Sequence, residues 1–288
     1  MIFSTSPTLK KLLIFCIVLS LGINSYIPPV EAQLFGWLRW IWPPKRVGIP
    51  PGKRSGGAVR GDCPKTAIPL TALVPANEEG LTFIEKTVSP HPNFWFYVPY
   101  AERVPSSSGR RLEFVLLDDS ESIFYKATYY LPQKQSSVKM GGVISVAMPK
   151  TIKPLQEGRR YRWVFSVICN PANRSGDATV NGWIEHIAID PAFNNQLDEK
   201  INLEKISSDY AAQGIWYETV GTLAKLLRDE KSPSSKLKRN WSSLLDSVGL
   251  AKLSAEPIVP RDKCEVCRGI PARERSEPSK TTSTHHKL

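Results

Sequence analysis

The chain has 288 residues, a hydrophobic content of 41% and a formal net charge of +11. That is enough apolar material to bury a real core in one sizeable domain with extra segments, which excludes a wholly disordered chain. The cations are scattered, much of their excess lying in the flanking segments; a solvated surface is a simpler reading than an anionic partner, and no nucleic acid is expected.

Residues 1–32 carry the pattern of a signal peptide. Lys10-Lys11 make a positive start, Leu12 to Ile23 a short apolar run, and Val30-Glu31-Ala32 a small-x-small cleavage site. A membrane span needs about 20 apolar residues, more than this run offers. Cys16 lies inside the run, so no lipid anchor is read there. An exported chain, periplasmic or extracellular, is therefore expected, cleaved after Ala32. Trp37, Trp40 and Trp42 follow at once. Indoles suit a bilayer interface, so these three are candidates for peripheral membrane contact; docking on the domain's own surface is the alternative. Residues 43–60 then read as a Pro/Gly/basic linker, which makes 33–60 a connecting segment.

From 61 to 190 the pattern is β. Leu70 to Val74 ends at Pro75 and reads as an edge strand. Asn93 to Tyr100 is apolar on both faces, and Arg111 to Leu117 alternates with Leu112, Phe114 and Leu116 inward. Asp118 to Glu121 is a polar turn leading into a hairpin partner, Ser122 to Leu131. After Gly142 to Met148 comes the clearest strand, in which Tyr161, Trp163, Phe165, Val167 and Cys169 share one face. Leu155-x-x-Gly158-x-x-Tyr161 has the spacing of a tyrosine corner, whose hydroxyl ties the incoming loop to the strand. Thr179 to Ala188 carries Trp183. Six or seven such strands describe an Ig-like antiparallel β-sandwich, with Trp95, Trp163 and Trp183 as its expected core. Cys63 precedes the domain and Cys169 ends its best strand; in an exported chain the two are expected to be bridged.

Beyond Pro191 the period becomes helical. Leu197, Ile201 and Ile206 mark a short helix; Ser208-Asp209 can cap a second through Trp216 to Leu227; a third follows Ser232-Pro233 and stops at Gly249. Within this helical segment, 191–255, the run Ala211 to Glu218 followed by Leu223 and Leu227 has the flavour of one tetratricopeptide helix pair, and a single repeat cannot bury its own face. Packing on the sandwich is the default, with dimerisation or a partner's helix as alternatives. Trp216, Tyr217 and Trp241 are the candidate partner-binding residues. Residues 256–288 read as a disordered tail. Cys264 and Cys267 within it are a candidate second disulfide or an incidental pair, ahead of a redox dithiol or half of a zinc site.

No catalytic constellation stands out. His91 lies between two prolines and His186 follows Trp183 on a strand, neither beside a nucleophile motif. No calcium-loop or phosphate-cradling pattern occurs, so no metal or cofactor is expected.

Several motifs occur in order: Gly61-Asp62-Cys63-Pro64, Leu73-Val74-Pro75, Phe94-Trp95-Phe96-Tyr97-Val98-Pro99-Tyr100, Ile168-Cys169-Asn170-Pro171, Gly182-Trp183-Ile184 and Gly214-Ile215-Trp216-Tyr217. With Trp241 and Val248-Gly249-Leu250 they resemble the cyanobacterial family known as domain of unknown function 928, over roughly Cys63 to Leu250. The resemblance implies an exported protein with no assigned activity and no catalytic residues to carry over. The expectation is a mainly β protein with an α-helical C-terminal segment, acting as a non-enzymatic binding or scaffolding module whose partner is another envelope protein. A carbohydrate-binding or carbohydrate-active sandwich using Arg160 and Arg162 is the rival, and thiol redox chemistry the weaker one.

Overall fold

The computed structural model describes residues 50–56, 63–99, 110–131, 141–198 and 203–260. The signal peptide, Trp37, Trp40, Trp42, Cys264 and Cys267 lie outside the described residues. Two sheets face each other. In chain order the strands are β1 (Gly52–Lys53), β2 (Ser55–Gly56), β3 (Leu70–Ala72), β4 (Leu81–Thr82), β5 (Ile84–Thr87) and β6 (Asn93–Val98). They continue as β7 (Arg110–Leu117), β8 (Ile123–Leu131), β9 (Gly142–Ala147), β10 (Arg160–Ile168) and β11 (Ala178–His186). One sheet runs β4-β1-β11-β10-β7-β8, with β5 sharing the free side of β11; the other runs β2-β3-β6-β9. Every strand pairing is antiparallel except β5 with β11, which is parallel.

β10 sits between β7 and β11 because both of its edges are paired along most of its length. Its alternation holds as read: Tyr161, Trp163, Phe165 and Val167 are buried. The Tyr161 hydroxyl accepts the backbone N–H of Gln156 at 3.1 Å, which closes the tyrosine corner. Across the interior, Phe96 stacks on Phe165 with centroids 4.1 Å apart, and Phe94 lies 4.8 Å from Phe114. Such pairs add about 0.5–1.5 kcal/mol beyond burial. Cys63 and Cys169 are bridged, tying the segment before β3 to the end of β10.

Three strand readings change. β3 is not an edge strand, because the short β2 pairs on its outer side. Trp183 is not core: the inward positions of β11 are Ala178, Val180, Gly182, Ile184 and His186. Trp183 thus faces outward and donates its Nε1–H to Pro50 O at 3.0 Å. Gly182 opposes Trp163, and a Cβ there would run into the Trp163 ring, so glycine makes room for the larger indole. The residues read as linker contribute β1 and β2, one strand to each sheet.

The helices are α1 (Pro191–Asp198), α2 (Leu203–Ala212), α3 (Trp216–Asp229) and α4 (Ser235–Ser247). Ser208 and Asp209 do not cap a helix. They lie inside α2, where Ser208 Oγ donates to Glu204 O at 3.1 Å. The chain breaks instead at Gly214, whose φ of 69° reverses it before α3. The Ser234 hydroxyl caps α4 by accepting the N–H of Leu237, and Gly249 ends it in the left-handed conformation. The start of the segment read as tail is ordered too: the backbone of Pro257 and Val259 bonds Val143 and covers the outer edge of β9. Among the described residues no helix is long and apolar enough to cross a membrane.

Candidate functional site: a polar cleft between α3 and the second sheet

β6 is buried on both faces for different reasons. Phe94 and Phe96 pack against Phe114, Trp163 and Phe165 of the opposite sheet. Trp95 points the other way by the strand period, and α3 covers it. The apolar side of α3, including Trp216, Val220 and Leu223, enters the core. Its remaining side carries Glu218, Gly221, Thr222, Lys225 and Arg228 at spacings of three and four, which aligns them along one stripe. Between this stripe and β6–β9 lies a cleft of about 280 Å³, walled on the sheet side by Asn93, Trp95 and Ser145.

Acid and base stand at different levels of this stripe. Glu218 Oε1 accepts the Thr87 hydroxyl at 2.6 Å and the Ser89 N–H at 3.2 Å. Its Oε2 is closed to solvent and has no hydrogen-bond partner. Burial pushes the carboxyl up to about 7, although the bonds from Thr87 and Ser89 work in the opposite direction. Arg228 has a side chain only 6% exposed; its guanidinium lies 5.6 Å from the Trp95 ring centroid and donates to Ser145 Oγ at 3.3 Å. Its other contact is Asp229 at 3.1 Å. Trp95 is 4% exposed, and its Nε1–H likewise has no partner. Gly221 lies against that nitrogen, where an added Cβ would sit 3.4 Å away. Tyr217 lines the cleft while its hydroxyl accepts Trp163 Nε1–H at 2.7 Å, and burial holds that phenol well above its ordinary range.

The cleft can therefore receive hydrogen bonds at one level and an anion at the other, with a carboxyl that changes charge near neutral pH. Residues 55–258, most of the chain, match the family model described as Domain of Unknown Function (DUF928). The chain belongs to the DUF928 family. No curated protein matches this DUF928 chain.

In this DUF928 protein the three aromatics offered as partner-binding residues are spent inside the chain. Trp216, Tyr217 and Trp241 are 0%, 4% and 2% exposed, so the helical segment satisfies its own apolar face by packing on the sandwich. Arg160 and Arg162 pair with Glu185 and Glu121 on the outer face of the first sheet, away from the interior. His91 and His186 each place Nε2 against a backbone carbonyl, Ile152 O at 2.9 Å and Val88 O at 3.3 Å. Asp118 holds its turn by accepting the N–H groups of Ser120 and Ser122. Of the cleft residues, Tyr217 was named from the sequence but the polar ones escaped it, because Glu218, Lys225 and Arg228 look like an ordinary solvated helix face. Gly221 was the available signal: glycine inside a helix costs about 1 kcal/mol relative to alanine, and close approach of another group is a reason to keep it.

Glu218 makes the pH dependence of stability a test of the cleft's electrostatics. The folded carboxyl sits near 7, above its ordinary 4.5, so the folded state binds the proton more tightly than the unfolded chain. Its contribution is fully present below about pH 4.5 and is lost as pH rises through 7. At pH 8 the ionised carboxylate costs about 3 kcal/mol relative to pH 4. Glu218→Gln is expected to match the native protein at pH 4.5 and to exceed it in stability at pH 8. Urea unfolding from pH 4.5 to 8 measures this; parallel curves for the two proteins would refute a raised carboxyl.

Proposed function

We propose that this protein is an exported, non-enzymatic binding module of the cell envelope, with the α3 cleft as its recognition site and another envelope component as its partner. One observation carries this reading. Two residues that line the same cleft, Trp95 and Glu218, each carry a buried polar atom without a partner, the Nε1–H donor and the Oε2 acceptor. Each such group costs about 1–3 kcal/mol, a burden that folds tolerate where a site needs it. The long-range bridge between Cys63 and Cys169 is consistent with an oxidising compartment. The family resemblance also fits a cyanobacterial source.

The test combines cell fractionation with capture. The protein is expected in the envelope extract with a mass beginning at Gln33. Immobilised, it is expected to retain an envelope component that is lost when Thr222→Trp fills the cleft and kept when Lys126→Ala alters the opposite sheet. A cytosolic, full-length product removes the export reading. Capture indifferent to Thr222→Trp removes the cleft.

A further inference from the structure

Building on that reading, we propose that the cleft takes a carboxylated sugar of one or two rings, its carboxylate held by Lys225 and Arg228 and its hydroxyls facing the stretch toward Glu218. The cationic end comes first in the chemistry. Arg228 is a guanidinium with five donors, nearly closed off from solvent, whose ion partner Asp229 is itself half-exposed. Lys225 lies one turn back on the same stripe, exposed and paired with no carboxylate among the described residues. Two cations one turn apart, one of them planar and partly desolvated, suit a carboxylate.

Length argues against a simple inorganic anion. Glu218 and Arg228 are ten residues apart on one helix, about 15 Å along its axis. The wall between them carries neutral hydrogen-bonding groups, Thr222, Asn93 and Ser145. A sugar hydroxyl both donates and accepts, which suits neutral groups such as Thr222, Asn93 and Ser145 and the buried, unpartnered polar atoms of Trp95 and Glu218. Both atoms are closed to solvent in this structure.

Calorimetric titration of the full, oxidised chain tests this, with galacturonate and digalacturonate against galactose, inorganic phosphate and glycylglycine. Uronate binding is expected to be about tenfold or more tighter than galactose binding. Lys225→Glu is expected to weaken it by a similar factor, with an unchanged urea midpoint because Lys225 is exposed. Phosphate binding as tight as uronate would reduce the cleft to a plain anion site and overturn the proposal. Tighter binding of the dipeptide would replace it with a zwitterion site. Silence toward the whole panel overturns the sugar assignment, while the binding-module reading still stands or falls on capture by native protein and its loss in Thr222→Trp.

Discussion

Truncating Trp216 to alanine is expected to lower the free energy of unfolding by about 3–5 kcal/mol, the range for emptying a large aromatic site in a packed core. Trp216 opens α3, is fully buried, and donates its Nε1–H to Leu73 O at 2.8 Å, where the chain leaves β3. Alanine there removes the indole's contacts and also leaves the Leu73 carbonyl buried without that bond. For a domain of this size each kcal/mol is worth about 2–4 °C, so the melting temperature falls by about 6–20 °C. Trp216→Phe keeps most of the volume and loses the hydrogen bond, with an expected cost of about 1–3 kcal/mol. Urea unfolding followed by circular dichroism separates the two variants. A loss below 1 kcal/mol for Trp216→Ala would mean that α3 is not built into the sandwich. The same burial disqualifies Trp216→Ala as a probe of partner binding, because its first effect is on the fold.

Removing the bridge with Cys63→Ala and Cys169→Ala together is expected to cost about 2–5 kcal/mol. The cysteines are 106 residues apart, so the reduced unfolded chain regains the freedom of a long loop, worth up to about 4.7 kcal/mol in the chain-entropy treatment. Cys63 is 4% exposed, so dithiothreitol is expected to act slowly on the native protein and quickly once it is unfolded. Unfolding midpoints with and without reductant measure the effect. Identical midpoints, with free thiols counted in both samples, would show that the bridge does not constrain the unfolded chain.

These two sites divide the molecule into what was legible locally and what was not. The β10 strand was readable because alternation of Tyr161, Trp163, Phe165 and Val167 reports a buried face without reference to any other segment. The tyrosine corner and the hairpin around Asp118 were readable for the same reason: each is closed by groups within a few residues. The Cys63–Cys169 pairing followed from an expected export and from the positions of the two cysteines at the start of the domain and the end of its best strand. Strands of two residues such as Gly52–Lys53 and Ser55–Gly56 have no periodicity to read; they exist because β11, β4 and β3 offer them backbone partners. The joined reading of α2 and α3 failed at Gly214, since the apolar spacing runs through a turn set by one positive φ.

The sequence by itself determined which strand faces are apolar and where the chain turns from strand to helix. Local spacing and composition carry that information, because a side chain's direction repeats with the backbone's own period. Only the tertiary structure decided what each apolar face meets. It turned Trp183 outward by placing Gly182 under Trp163, and it used Trp216, Tyr217 and Trp241 as core. It also brought Trp95 of β6, Ser145 of β9 and the stripe from Glu218 to Arg228 to one cleft. Those residues are separated by as much as 133 positions, and only long-range packing, which no local pattern encodes, could bring them together.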